Sequence, residues 1–183
     1  MLNELLRKIA QSLNSHKIPY IIIGGQAALI YREPRFTNDI DIILGIDIDS
    51  INIILQICED YNFTILVENP LEFTSQTMVL PAYDEMSKMR IDFIFSTTKY
   101  EREAITRANI INIDNCEIAF CSLEDLIILK LFAGRAIDIE DVKSIIRRNP
   151  NYNYDLVYNT LKDLGDATDT DLLQRLIELD KRT

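Results

Sequence analysis

Three aspartates, Asp39, Asp41 and Asp92, are set inside apolar runs, DIDIIL and MRIDFIF, where a strand would be expected to bury isoleucine. An ionised carboxylate taken out of water without a partner costs several kcal/mol, so such positions need a compensating interaction. Side chains at i and i+2 of a strand share a face, which puts Asp39 and Asp41 on one side and Ile40 and Ile42 on the other. By the same rule Arg90, Asp92 and Ile94 oppose Ile91, Phe93 and Phe95. If the two strands are neighbours, three carboxylates converge and repel one another unless a cation sits between them. Oxygen ligands without His or Cys point to a hard ion, and Mg²⁺ combines carboxylates with waters and substrate phosphates. The competing reading of the D-x-D pair is a solvated face on an edge strand.

Gly24 and Gly25 end the strand-like YIIIGG and open the helix-like QAALIY. Backbone N–H groups at such a helix start, with no side chains in the way, suit a phosphate; a tight strand-to-helix turn is the alternative. Glycine turn, short helix and D-x-D strand, in that order, set an anion cradle beside a cation site, the two halves of a nucleoside triphosphate with its metal. Further along, Lys130 interrupts the apolar LIILKLFA and is expected to reach toward that crevice, or simply to snorkel. Arg135, Asp138 and Asp141 follow, Asp138 being either a helix N-cap or a substrate contact.

The elements that must hold these residues follow from periodicity and punctuation. Helix 2–15, strand 19–23, helix 25–32, strand 38–44, helix 49–61 and strand 63–67 are expected, with prolines near 19, 34 and 70 as breaks. Residues 72–120 read as strand-rich, with strands at 77–80, 89–96, 110–113 and 117–120 around a charged helix 99–108. Helices alone follow: one capped by Ser122 and stopped by Gly134, one repeating the device with Asp138 and Asp141 and closed by Pro150, then 154–163 and 169–181. The expected fold is α/β (α+β): a mixed-sheet domain with flanking helices over residues 1–120, and a helical bundle over 121–183 packed on it.

A chain of 183 residues with 48% apolar content can bury a sizeable core. No apolar run approaches the roughly 20 residues a bilayer demands, and the first residues lack the continuous apolar stretch of a signal peptide, so a cytoplasmic protein is expected. Cys58, Cys116 and Cys121 have no metal-ligand spacing and read as buried small hydrophobes. The only histidine, His16, reads as a helix C-cap, which excludes histidine-based catalysis and the common zinc sites. A net charge of −10 argues against a broad grip on nucleic acid.

With these residues in place, the chain resembles the nucleotidyltransferase superfamily typified by DNA polymerase beta. Its signature is a Gly-Gly or Gly-Ser turn, a helix, a D-x-D strand and a third Asp on a later strand: here Gly24-Gly25, Asp39-Ile-Asp41 and Asp92. GGQAALIYREPRFTNDIDI and LEDLIILKLFAGRAIDIEDV look more narrowly like the minimal stand-alone bacterial and archaeal members, including AbiEii-type toxin relatives, where an Arg and a Thr precede the D-x-D as Arg35 and Thr37 do. The resemblance covers about residues 18–146. It implies transfer of a nucleoside monophosphate from an NTP to an acceptor hydroxyl or phosphate, with two Mg²⁺ ions (Mn²⁺ being possible) on Asp39, Asp41 and Asp92. Asp92 would double as general base. Gly24, Gly25, Arg35, Thr37, Lys130, Arg135 and Asp138 would hold the nucleotide. Position 25 is Gly where active members commonly carry Ser, so a hydroxyl contact to phosphate is lost.

The acceptor stays open among a small molecule, an RNA end and a protein. A small cationic acceptor such as an aminoglycoside fits the acidic balance. RNA would need a local basic patch, for which Arg102, Arg107, Lys130, Arg135, Arg147 and Arg148 are the candidates. The resemblance further implies a toxin of a toxin–antitoxin pair, with a cognate antitoxin as partner. The alternative is a nucleotide-binding or partner-binding protein of the same fold without turnover.

Overall fold

The alternation of buried isoleucine with half-exposed acid in DIDIIL produces strand β2 (Asp39–Leu44), and the like pattern in MRIDFIF produces β5 (Met89–Phe95). Both belong to the first of two compact units in the computed structural model, which describes residues 1–34 and 36–180. That unit comprises Met1–Gln26 and Phe36–Cys121; the second comprises Ala27–Arg35 and Ser122–Thr183.

The first unit carries, among the described residues, a seven-stranded mixed sheet. Its strand order is β3 (Thr64–Ile65), β4 (Val79–Asp84), β5, β2, β1 (Tyr20–Ile22), β7 (Cys116–Phe120) and β6 (Asn109–Ile113). β2 runs parallel to β5 and antiparallel to β1, and β1 is parallel to β7. One face of the central strands is fully buried through Ile40, Ile42, Ile91, Phe93 and Phe95. Helix α1 (Leu2–Ser15) lays Leu5, Leu6, Ile9 and Leu13 inward and contacts β7, and His16 is its C-cap. Helix α2 (Gly24–Tyr31) starts directly after β1, and α3 (Ile51–Asp60) follows a 3-10 turn, Ile48–Ser50. The three cysteines are buried and unbridged, and burial pushes the Cys58 thiol up to about 12, which keeps it inert.

One expectation fails between residues 70 and 80. Pro70 is not a break but the opening residue of a helix, α4 (Pro70–Thr77), where its missing N–H and fixed φ are harmless. Met78 closes α4 in the left-handed region at φ 59, and the strand expected at 77–80 starts only at Val79. α5 (Lys99–Thr106) is fixed by a full capping box between Thr98 and Glu101.

In the second unit, α6 (Leu123–Ala133) is apolar on all sides because it contacts three helices, α7 (Ala136–Arg148), α8 (Tyr154–Thr168) and α9 (Leu172–Leu179). Ser122 Oγ accepts from the Asp125 N–H at its start. At its end Gly134 adopts φ 64, and Arg175 donates to the Leu131 and Phe132 carbonyls. α8 runs five residues past its expected end at 163, and α9 begins at Leu172, after Asp171 caps it. No described helix is long and apolar enough to cross a membrane.

Candidate active site

The parallel register of β2 and β5 sets Asp41 opposite Asp92 and Asp39 opposite Arg90. Paired residues of adjacent strands project to the same side. Asp39, Asp41, Arg90 and Asp92 therefore share one face of the sheet, above the buried isoleucines and phenylalanines of the other. The expectation of converging aspartate strands is met at the level of register.

Each carboxylate is held differently. Thr37 Oγ1 donates to Asp39 Oδ1 at 2.5 Å, and buried Gln26 donates through Nε2 to the Asp39 carbonyl at 3.3 Å. The Asp41 carbonyl accepts from the Ile23 N–H at 2.9 Å, which ties the D-x-D strand to the residue before the glycine turn. Asp92 Oδ1 accepts from Arg90 Nε at 2.8 Å, within a pair whose arginine is half exposed.

The glycine turn is shaped by the same side chains. Gly24 sits at φ 65, a conformation that favours glycine, and a Cβ there would overlap the Asp41 carboxylate. The Asp41 carboxylate thus lies against the first turn of α2, where the partial positive charge of a helix start stabilises an anion. A Cβ at Gly25 would run into Thr37.

Among the described residues no group of three His, Cys, Asp or Glu side chains is disposed to hold a metal ion by itself. The donor set nevertheless suits a hard divalent cation: oxygen ligands only, half-exposed, and matched by register on adjacent strands. Mg²⁺ relies on waters and substrate phosphates for much of its coordination, so a ready protein cage is not required of such a site.

Lys130, Arg135 and Asp138 belong to the second unit, in a different cluster. Lys130 is buried and donates to Asp138 Oδ1 at 3.1 Å and to Asp141 Oδ2 at 2.7 Å, where a reaching or snorkelling lysine was expected. Arg135 Nε donates to Asp138 Oδ2 at 2.6 Å, and Arg32 pairs with the other oxygen of Asp141. Burial alone would push the Asp138 carboxyl up, but the hydrogen bonds and charges of Arg135 and Lys130 bring it below the ordinary carboxylate value. The N-cap of α7 is Arg135, so Asp138 does not cap it; its carboxylate is taken by the two cations. Arg35 lies outside the described residues.

Three residues at these clusters carried no assignment from the sequence. Arg90 shares the Asp92 face by the i, i+2 rule, a signal that was available. Gln26 and Arg32 gave none, since their partners, the Asp39 carbonyl and Asp141, are distant in the chain.

Residues 1–178 match the family described as "Nucleotidyltransferase of unknown function (DUF6036)". The chain belongs to this nucleotidyltransferase family. None of the curated proteins matches it. Among solved structures, this nucleotidyltransferase is similar to the antibiotic-resistance factor ANT(2'')-Ia, at 16% identity and TM-score 0.64, covering 92% of this chain and 95% of that one. An antigenic nucleotidyltransferase-like protein from Paracoccidioides brasiliensis aligns at 17% identity and TM-score 0.57, over 95% and 92% of the two chains. The lincosamide antibiotic adenylyltransferase LnuA, solved with lincomycin bound, aligns at 18% identity and TM-score 0.50, over 75% and 93%. At these identities the likeness is one of fold: a mixed sheet with flanking helices, as the sequence motifs implied.

Proposed function

We propose that this nucleotidyltransferase moves a nucleoside monophosphate from an NTP to an acceptor, with Asp39, Asp41 and Asp92 as the carboxylates that hold Mg²⁺. The observation that carries this reading is the pairing of Asp41 with Asp92 across β2 and β5, with Asp39 on the same face and the glycine turn of α2 against Asp41. When bound, Mg²⁺ would neutralise the triphosphate and polarise the α-phosphate toward in-line attack.

The chain's own residues do the remaining work. Asp39, pinned by Thr37 and Gln26, offers an oriented carboxylate. Asp92, partly buried, takes the proton of the acceptor hydroxyl, and half-exposed Arg90 beside it stabilises negative charge building up on the transferred phosphoryl group. The start of α2 would offer its first backbone N–H groups to phosphate oxygens, beside the Asp41 and Thr37 side chains that pack against the two glycines.

For the acceptor, the formal charge of −10 favours a small cation, and two structural neighbours are by name an antibiotic-resistance factor and an antibiotic adenylyltransferase. The test is label transfer and pyrophosphate release from each α-labelled NTP with Mg²⁺. Aminoglycosides, lincosamides, total RNA and total protein serve as separate acceptor pools, for the wild type beside Asp41→Asn. Label on one pool with the wild type alone is the expected result. Label on the RNA or protein pool would instead favour the toxin reading, for which an antitoxin partner would then be sought. Absence of Mg²⁺-dependent NTP binding in the wild type would overturn the assignment.

One observation favours a second reading, nucleotide binding without turnover: Asp92 is bonded to Arg90 and Asp39 to Thr37 before any cation binds. Mg²⁺-dependent binding with no pyrophosphate release from any pool would select it.

A further inference from the structure

We infer that Thr37 is a positioning residue for Asp39, and that position 25 is glycine because Thr37 fills the space a side chain there would need. The first half rests on the reading of Asp39 as a cation ligand; the second is a matter of packing alone. The two glycines of the turn differ in what they require. Gly24 has a positive φ and would be glycine for its backbone alone, whereas Gly25 is not among the residues with positive φ and opens an ordinary helix. Its backbone would accept any L-residue. What forbids one is Thr37: a Cβ on Gly25 would strike Thr37 Oγ1 and come within 2.9 Å of Thr37 Cβ and 3.3 Å of Cγ2.

Thr37 is aimed from that pocket at Asp39, to whose Oδ1 its hydroxyl donates at 2.5 Å. A β-branched side chain is stiff at χ1, so a threonine whose hydroxyl, Cβ and methyl all pack over Gly25 has its hydroxyl direction fixed. Gln26, next in the turn, holds the Asp39 main chain through its carbonyl. Asp39 is thus fixed at both ends by groups that depend on residues 25 and 26 lying close beneath it. A serine at 25 would force Thr37 to move, and with it the hydroxyl that donates to Asp39. Glycine at 25 is therefore the residue that this placement of Thr37 requires.

A double-mutant cycle tests this. Gly25→Ser, Thr37→Ala and their combination are compared in thermal melting, and Mn²⁺ alone is titrated by electron paramagnetic resonance into wild type, Thr37→Val and Thr37→Ser. Gly25→Ser is expected to lower Tm by several degrees, and adding Thr37→Ala to restore part of it, since alanine removes the hydroxyl and methyl but keeps the Cβ that stands 2.9 Å away. Thr37→Val keeps the bulk and loses the hydroxyl; it should melt near the wild type yet bind Mn²⁺ about tenfold more weakly, as lost outer-shell partners do. Thr37→Ser should bind as the wild type does. Additive Tm losses would overturn the packing claim, and wild-type Mn²⁺ affinity in Thr37→Val would overturn the positioning claim. A wild type that binds no Mn²⁺ would end the cation reading of Asp39 and the positioning role with it, while the Tm cycle would still decide the packing claim.

Discussion

Asp141 in the helical unit and Asp39 in the sheet unit are both aspartates in apolar surroundings, yet they are met by different partners. Asp141 is 0% exposed and lies between Lys130 and Arg32, while its neighbour Asp138 is taken by Lys130 and Arg135. Two carboxylates there are each met by two cations, Lys130 being shared, across α6, α7, the residue before α7 and the residue that follows α2. Asp39 is met by a neutral hydroxyl, and Asp92 by an arginine that is half exposed. The difference separates two uses of the same residue. Charges paired inside a core with opposite charges hold elements together, and losing one partner leaves the other buried and uncompensated. Carboxylates gathered on one face and held by a hydroxyl or a half-exposed arginine are what the proposed cation site would require.

The largest expected effect is that of Lys130→Ala, which removes the buried cation that Asp138 and Asp141 share and leaves each with one arginine. It should cost about 3–5 kcal/mol in chemical denaturation. Next is Gly24→Ala, expected to destabilise by more than about 1 kcal/mol because the new Cβ meets both a left-handed φ and the Asp41 carboxylate. Ser122→Ala removes the cap of α6 and should cost about 1 kcal/mol by the same measurement.

The pH dependence sharpens the contrast further. The folded-state value of Asp138 is lowered, so its contribution is fully present above the ordinary carboxylate value and is lost as the pH falls through the lowered one. The stability gap between wild type and Asp138→Asn should therefore be full at neutral pH and close in acid, read from denaturation midpoints across pH. Smallest of all is Asp39→Asn. The amide oxygen still accepts from Thr37, and one of several like charges is removed, so stability should change by less than about 0.5 kcal/mol.

Much of the sheet unit was legible in the sequence because its signals are local. Alternation in DIDIIL and MRIDFIF fixed which side the aspartates face, and only the pairing of the two strands had to come from the fold. The α4 segment was misread because Pro70 was taken as a break, although proline is at home in the first turn of a helix. Lys130 was read from its apolar neighbours as a side chain seeking solvent. Its true partners, Asp138 and Asp141, were in view one helix later, but nothing in one-dimensional spacing reports that α6 and α7 bring them together. What lies over Gly25 could not be read locally, because Thr37 stands twelve residues further along.

If the acids of the sheet unit serve a bound cation and nucleotide while those of the helical unit serve the fold, loss of one sheet carboxylate should abolish binding and spare stability. The first experiment is calorimetric titration of each Mg²⁺–NTP into wild type and Asp39→Asn, with Tm recorded for both proteins. Binding of at least one Mg²⁺–NTP by the wild type, none by the variant at the same concentrations, and matching melting temperatures are expected. Equal binding by both proteins, or a variant that melts well below the wild type, would contradict this division of roles.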